Sequence, residues 1–270
     1  DFIKNILINR EIKTKAEAEV FLNPDYGKIH SPFKILNMRK AAERIIKAIN
    51  ENQKIIIYGD YDADGICGTA VFHDFFKAIN YDNFETYIPN RYEEGYGMNL
   101  KSIDEFAAKN ARLIITVDCG VSNVEETKYA ANLGIDTVIT DHHLPQDPLP
   151  AATAIIDVHQ TGDTYEFKDL CGTAVAFKTV SAILEINSFG LANGWEKWLL
   201  DLTAIATIAD MSRLTDENRI LVHYGIMVLK KTRRLGLTAL LKKANINKYG
   251  LNSEDIAFFI APRINAASRI

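Results

Sequence analysis

Short apolar runs alternate with amphipathic stretches through the middle of the chain. Five β-rich runs span four or five positions each, at 55–58, 84–88, 113–117, 137–140 and 154–157. Strands with few polar residues, separated by helical segments, predict a parallel sheet that is covered on both faces. We therefore expect an α/β fold with a mostly parallel sheet of five or six strands and helices on both sides.

The two ends of the chain show helical periodicity instead. Residues 15–22 and 38–50 place apolar side chains at helical spacing, and prolines interrupt the stretch between them. Three segments after the last strand also have apolar faces, at 171–186, 195–209 and 216–231. The pattern predicts an N-terminal helical extension over 1–45, an α/β domain over 46–215 and a helical C-terminal part over 216–270.

Acidic and histidine side chains follow these apolar runs directly. Six aspartates and two histidines stand in four clusters, at 59–65, 117–120, 140–143 and 208–210. The carboxyl ends of parallel strands form the ligand crevice of an open sheet, so distant clusters meet at one edge. Two like charges about 4 Å apart repel by roughly 4 kcal/mol at an effective dielectric near 20, so this convergence requires a cation. Hard oxygen ligands with one or two imidazoles favour manganese or magnesium over zinc.

The spacing of these side chains predicts a site for two divalent ions. The alternating aspartates at 60, 62 and 64 aim several carboxylates at one point. We expect Asp118 to bridge the ions and Asp62 to bind one of them. The other predicted metal ligands are Asp64, His142 and Asp210, with Asp60 as a further ligand. Two such ions lower the pKa of a water and stabilise both oxygens of an in-line displacement at phosphorus.

The predicted catalytic residues are Asp118, His142 and His143. His143 is expected to face the substrate, where it either hydrogen-bonds a phosphate oxygen or helps a proton onto the leaving group. Arginines in turn-rich stretches suit phosphate because the planar guanidinium donates two parallel hydrogen bonds. The candidate substrate-binding residues are Arg91, His143, Arg263, Asn265 and Arg269. Tyr92 and Tyr96 either stack on bases or pack at the edge of the core.

The formal net charge of −4 conceals a segregation of charge. Bound metal would cancel the charge of the clustered aspartates, and the stretch 230–248 has seven Lys and Arg residues without one acid. This stretch is either a phosphate-binding patch or a solvated helix face. No apolar run is long enough to span a bilayer, and residues 1–5 lack signal-peptide features. The three cysteines are scattered, which suits a reducing compartment. We therefore expect a cytoplasmic protein without a membrane partner.

The same segments resemble the DHH phosphoesterase superfamily and, within it, the RecJ-type single-strand-specific exonucleases. Those at 59–65, 117–120 and 141–143 are similar to the successive metal motifs of the superfamily. Four others are similar to the RecJ branch in particular, at 90–97, 171–178, 208–219 and 262–269. The resemblance covers the chain from about residue 46 to its end.

The resemblance implies a Mn²⁺- or Mg²⁺-dependent enzyme with two ions that removes nucleotides from the 5′ end of single-stranded DNA in recombination and repair. It also implies that residues 46–215 form a DHH catalytic domain and that residues 216–270 lead to a DHH-associated domain outside this sequence. A single-strand-binding protein or a helicase is the candidate partner that the resemblance implies. Two alternatives stay open: a phosphodiesterase for oligoribonucleotides or cyclic dinucleotides, and a non-catalytic scaffold in a replication complex.

Overall fold

A five-stranded, entirely parallel sheet forms the centre of the molecule. The computed structural model describes residues 2–269. The strands are β1 (Lys54–Gly59), β2 (Phe84–Tyr87), β3 (Ala111–Val117), β4 (Asp136–Thr140) and β5 (Ala154–Ile156). They are ordered β2-β1-β3-β4-β5, and every neighbouring pair is parallel. The predicted α/β fold is confirmed, and the order of the strands reverses between β1 and β3, where open sheets bind ligands.

Helices connect the strands and form both ends of the chain. They are α1 (Phe2–Asn9), α2 (Lys15–Leu22), α3 (Met38–Asn50), α4 (Ala63–Ala78), α5 (Leu100–Ala108), α6 (Val124–Asn132), α7 (Gly172–Ile186), α8 (Leu200–Ala209), α9 (Asp216–Leu229), α10 (Leu235–Lys243), α11 (Ser253–Asp255) and α12 (Ala261–Ala267). Short 3₁₀ helices lie at Tyr26–Lys28, Pro32–Lys34 and Trp195–Leu199, and a π-helix at Ile256–Ile260 joins α11 to α12. Both predicted N-terminal helices have the bounds that the periodicity gave.

Helix α4 begins at Ala63, within the acidic motif 59–65. Asp62 precedes it and accepts hydrogen bonds from the backbone N–H groups of Asp64 and Gly65, at 2.8 and 3.0 Å. An aspartate in this position satisfies donors that a helix start otherwise leaves unpaired. The helix therefore includes Ala63 and Asp64, and the second half of the acidic motif lies in its first turn.

Apolar side chains pack on both faces of the sheet, as the strand pattern predicts. Along β1, Ile55 and Ile57 enter the main core with α3, α4, α7 and α8, whereas Ile56 and Tyr58 enter a smaller core with Phe106 of α5. Successive side chains of a strand point to opposite faces, so β1 contributes to both cores. The sheet is thus held between two helical layers, and its carboxyl edge carries the polar residues.

Both ends of the chain are tied to this core. Buried residues of α3 join the main core, and the predicted boundary at residue 45 lies inside this helix. In the C-terminal part, Arg234 binds Asp201 at 2.8 Å and also pairs with Asp74 of α4. Arg234 is therefore an internal ion-pairing residue rather than a member of a free basic patch. None of the helices within 2–269 combines the length and the apolar character needed to cross a bilayer.

Candidate metal centre

The acidic clusters meet at the carboxyl edge of the sheet, on either side of the point where the strand order reverses. Asp60 follows β1 and Asp118 follows β3. Asp62 and Asp64 lie at the start of α4, and Asp210 directly follows the last residue of α8. The loop after β4 adds His142 and His143. Segments that are remote in sequence therefore supply one site because parallel strands end at a common edge.

Three sets of side chains bring their ligand atoms within 4.8 Å of one another. The sets are Asp60, Asp62 and Asp118; Asp64, His142 and Asp210; and Asp118, His142 and His143. The first two correspond to the two predicted groups of metal ligands. Asp118 and His142 each belong to two sets, so together they connect the whole cluster. The structure thus brings together every residue that the sequence analysis proposed as a metal ligand.

Asp118 lies at the centre of the cluster in an unusual environment. It is 2% exposed, and its backbone adopts a left-handed conformation with φ of +61°. Burial raises the pKa of its carboxyl group well above the usual value, and the negative charges of Asp64 and Asp62 raise it further. Strained backbone and a repelled, buried carboxylate are features of functional sites rather than of ordinary cores.

The distances around Asp118 fit a cation. Its Oδ1 is buried without a hydrogen-bond partner within residues 2–269, and His142 Nε2 lies 3.1 Å from it. Two ligands at right angles on an octahedral ion, each at about 2.1 Å, would lie about 3.0 Å apart. Asp60 Oδ1 is a second buried oxygen without a partner in the described part of the chain, and burial raises the pKa of Asp60 to about 6. Oxygen-rich donors with an imidazole are those of a Mn²⁺ or Mg²⁺ site.

Helix α7 holds Asp64 in place, a contact that the sequence analysis did not foresee. The backbone N–H groups of Gly172 and Thr173 each donate to one carboxylate oxygen of Asp64, at 2.7 Å. The Thr173 hydroxyl also donates to the Asp64 carbonyl. The N-terminus of a helix favours an anion, so the start of α7 is a suitable place for this carboxylate. Periodicity predicted a helix at 171–186, but only the similarity of segment 171–178 to the RecJ branch suggested a role for it in function.

Asp141 orients His143 and does not belong to the three sets. Its Oδ1 lies 2.8 Å from His143 Nδ1 and accepts the backbone N–H of His142, and its Oδ2 accepts that of Val121. Burial alone would raise the pKa of Asp141, but the bond from His143 and the backbone donors outweigh it and lower this pKa. The same bond raises the pKa of His143. With Nδ1 engaged, Nε2 of His143 is the nitrogen left for other contacts.

The segment 89–99 forms one wall of the site. The Tyr96 hydroxyl donates to the Asp118 carbonyl at 2.9 Å and lies 3.2 Å from His143 Nδ1. The guanidinium of Arg91 lies over the Tyr61 ring, 5.0 Å from its centroid. Of the two predicted roles for Tyr96, the structure shows packing at the site, because its ring is edge-on to that of His143.

The C-terminal candidates are placed unequally with respect to the metal centre. Asn265 Oδ1 accepts the backbone N–H of Ala63 at 2.7 Å, which brings the end of the chain against the start of α4. The Arg269 carbonyl accepts the Tyr92 hydroxyl at 3.2 Å, so it meets the segment that carries Arg91. Arg263 donates to the Phe259 carbonyl, four residues earlier in the chain. Asn265 and Arg269 therefore lie beside the site, while the recorded bond of Arg263 is local.

Comparisons with known proteins agree with this geometry. The profile described as "DHH family, N-terminal domain" matches residues 54–207. The chain is similar to the single-stranded-DNA-specific exonuclease RecJ of Bacillus subtilis (strain 168), with 42% identity over 99% of this chain and 33% of the relative. RecJ of Escherichia coli (strain K12) is 37% identical over 86% of this chain and 42% of the relative. The chain thus spans less than half the length of these two relatives.

Solved structures with the same fold include metal complexes. The structure of exonuclease RecJ bound to manganese superposes with a TM-score of 0.77 and 34% identity, over 87% of this chain and 58% of that one. RecJ of Thermus thermophilus in complex with Mn²⁺ gives a TM-score of 0.79 and 29% identity, over 97% of this chain and 36% of that one. The fold is therefore shared with proteins whose solved structures contain Mn²⁺.

Proposed function

We propose that this chain, which belongs to the DHH family, is the catalytic part of a metal-dependent exonuclease that hydrolyses single-stranded DNA from its 5′ end. One observation carries the proposal: Asp118, buried and strained, belongs to one set with Asp60 and Asp62 and lies 3.1 Å from His142 of the other set. Names of relatives at 42% and 37% identity support the substrate class. We further propose that residues 46–215 form the catalytic domain.

We assign the ions to the two sets of ligands that share the site. Asp60 and Asp62 would hold one Mn²⁺ or Mg²⁺ ion, the other set would hold a second, and Asp118 would contact both. When bound, a pair of such ions lowers the pKa of a water and neutralises charge on a phosphodiester. RecJ structures with Mn²⁺ and with Mg²⁺ support this choice of metals.

The protein's own residues position the substrate and the protons. Asp141 accepts from Nδ1 of His143, so Nε2 faces outward to hydrogen-bond a phosphate oxygen or to pass a proton to the leaving 3′-oxygen. Arg91, whose guanidinium lies over the Tyr61 ring, would donate a bidentate pair of hydrogen bonds to a phosphate. Asn265 and Arg269 would extend this contact surface, and Arg263 would join it after leaving its bond to Phe259.

A substrate panel tests the proposal. We would give the chain, with Mn²⁺, a single strand labelled differently at each end, its duplex, a dinucleotide and a cyclic dinucleotide. We expect mononucleotides from the single strand, with the 5′ label released first. Cleavage of only the small substrates would replace the proposal with the oligonucleotide phosphodiesterase, which no observation on this chain favours. Binding of Mn²⁺ without turnover of any substrate would favour the scaffold.

Two matched variants show whether turnover comes from this site. Asp118→Asn removes the shared carboxylate, and Asp136→Asn changes an aspartate at the opposite end of the sheet, where it pairs with Arg44. We expect loss of turnover in the first and wild-type turnover in the second. We also propose that the protein acts in the cytoplasm, with a single-strand-binding protein or a helicase as a partner. Co-purification of such a partner from cells with the wild-type chain tests this proposal.

A further inference from the structure

Asp157 is a buried carboxylate beside the metal centre to which the mechanism gives no role. It follows β5, the strand next to β4, and the ladder between the two continues past their ends, since the backbone N–H of Asp141 donates to the Ile156 carbonyl at 3.0 Å. This places Asp157 next to the start of the loop that carries His142. The side chain is fully buried, with 0% exposure.

Only one of the two oxygens of the Asp157 carboxylate has a hydrogen-bond partner in the local structure. Oδ1 accepts the backbone N–H of His159 at 2.8 Å, a turn that aspartate commonly makes. Oδ2 is buried and has no hydrogen-bond partner among the residues that the structure describes. An unpaired buried oxygen is costly, so a carboxylate in this position needs a donor.

On the same side of the site, His142 has a ring nitrogen without a hydrogen-bond partner among the described residues. Its Nε2 faces the metal ligands, 3.1 Å from Asp118 Oδ1 and 3.7 Å from Asp64 Oδ2. Its other ring nitrogen, Nδ1, must therefore point away from them, and no hydrogen bond to it is formed by the described residues. Burial raises the pKa of Asp157 to about 7, whereas the charges of His142 and His143 lower it, so these histidines lie within electrostatic range of the carboxylate.

We propose that Asp157 is a positioning residue that accepts a hydrogen bond from Nδ1–H of His142 through one water molecule. A histidine that binds a metal normally donates its second ring nitrogen to a carboxylate, a carbonyl or a water, which fixes its tautomer and orientation. Asp157 would thus hold the lone pair of Nε2 toward the ion, as Asp141 orients His143. The inference rests on the proposed metal-dependent function and deepens it.

The variant Asp157→Asn tests the positioning of His142 while it keeps the turn in which Asp157 accepts the His159 N–H. An amide keeps the size of the side chain and one acceptor for the His159 N–H, but replaces the other oxygen with a donor. We expect Mn²⁺ affinity, measured by calorimetry without DNA, to fall about 10- to 100-fold. Asp25→Asn is the matched control, because Asp25 makes the same kind of turn, to the Gly27 N–H, in the N-terminal segment; its Mn²⁺ affinity should equal that of the wild type.

The histidine tautomer gives a readout that a purely structural role would not change. With ¹⁵N-labelled histidine and Mg²⁺, NMR should show His142 as the Nδ1–H tautomer in the wild type and a mixture in Asp157→Asn. Should that variant unfold, Asp157→Ser keeps a weaker turn acceptor and serves in its place. Affinity close to that of the wild type, with an unchanged tautomer, would overturn the inference. Absence of Mn²⁺ binding in the wild type would count against the proposed function instead.

Discussion

Gly172→Ala tests most directly whether the close packing of α7 on the metal centre matters. Gly172 is the first residue of α7, and a Cβ atom there would lie 2.7 Å from Asp118 Cβ and 2.8 Å from Asp118 Oδ1. The same residue donates its N–H to Asp64. An added methyl group would therefore push on two proposed metal ligands at once.

The size of the effect follows from these distances. Ordinary van der Waals contact of a Cβ begins at 3.4 Å, so Asp118 or α7 must move by roughly 0.7 Å. Functional constellations need their geometry held within about 0.5 Å, and a misplacement of about 1 Å can lower a rate about 100-fold. We expect Mn²⁺ affinity and kcat/KM to fall about 10- to 100-fold, and the free energy of unfolding to fall by about 1–3 kcal/mol.

Two other glycines are controls for this result. A Cβ on Gly225 would lie 2.2 Å from the Leu200 carbonyl oxygen, at the far end of α8, about 15 Å from Asp210. Gly225→Ala should therefore destabilise the fold without weakening Mn²⁺ binding in the folded fraction. Gly236 has nothing within 4 Å of its Cβ position, so Gly236→Ala should be neutral or stabilise α10 by about 0.5–1 kcal/mol. Calorimetry and urea unfolding of all three variants decide the matter: a Gly172→Ala protein that binds Mn²⁺ like the wild type would refute the reasoning.

Three further predictions follow from the electrostatics of the site. Asp118→Asn should abolish cleavage. It should also raise the melting temperature of the metal-free protein, because it removes a buried carboxyl group whose charge Asp64 and Asp62 repel. Wild-type cleavage in this variant would rule out the bridging role of Asp118. Arg91→Lys should raise KM for a 5′-phosphorylated strand about 10-fold, since a bidentate contact becomes a point charge, whereas Arg213→Lys, at an exposed ion pair, should leave KM unchanged. Without metal, the free energy of unfolding should fall between about pH 4 and pH 7, because burial raises the pKa of Asp60 to about 6 and the fold prefers the protonated form of this carboxyl group. The loss is at most roughly 3 kcal/mol, and Mn²⁺ should reverse it at pH 7. A melting temperature of the metal-free protein that rises over this range would contradict the sign.

The strands and several helix bounds could be predicted because they depend on local periodicity. The five predicted runs each contain or overlap one observed strand, and α2 and α3 have the predicted ends. Apolar periodicity does not give the start of α4, because this helix begins inside an acidic motif. Its capping contact from Asp62 becomes visible only when the backbone is folded.

The candidate site was predictable as a set of residue types and only in part as a set of roles. The candidate ligands could be proposed together because each cluster follows an apolar run, and parallel strands share one carboxyl edge. The roles of Asp141 and Gly172 were not recognised. One orients a histidine through a side-chain bond, and the other is defined by a contact with Asp118, which is remote from it in sequence.

The sequence by itself determined the class of the fold and the kind of chemistry, because hydrophobic period and oxygen-rich acidic motifs are local properties. Only the tertiary structure decided which buried oxygens have no partner within residues 2–269, which nitrogen of His142 faces the acidic cluster and which basic residues form internal ion pairs. Arg234 shows the difference, since it belongs to a basic run in the sequence but binds Asp201 and Asp74 in the fold. Such pairings depend on distances between remote segments, and packing of the whole chain sets those distances.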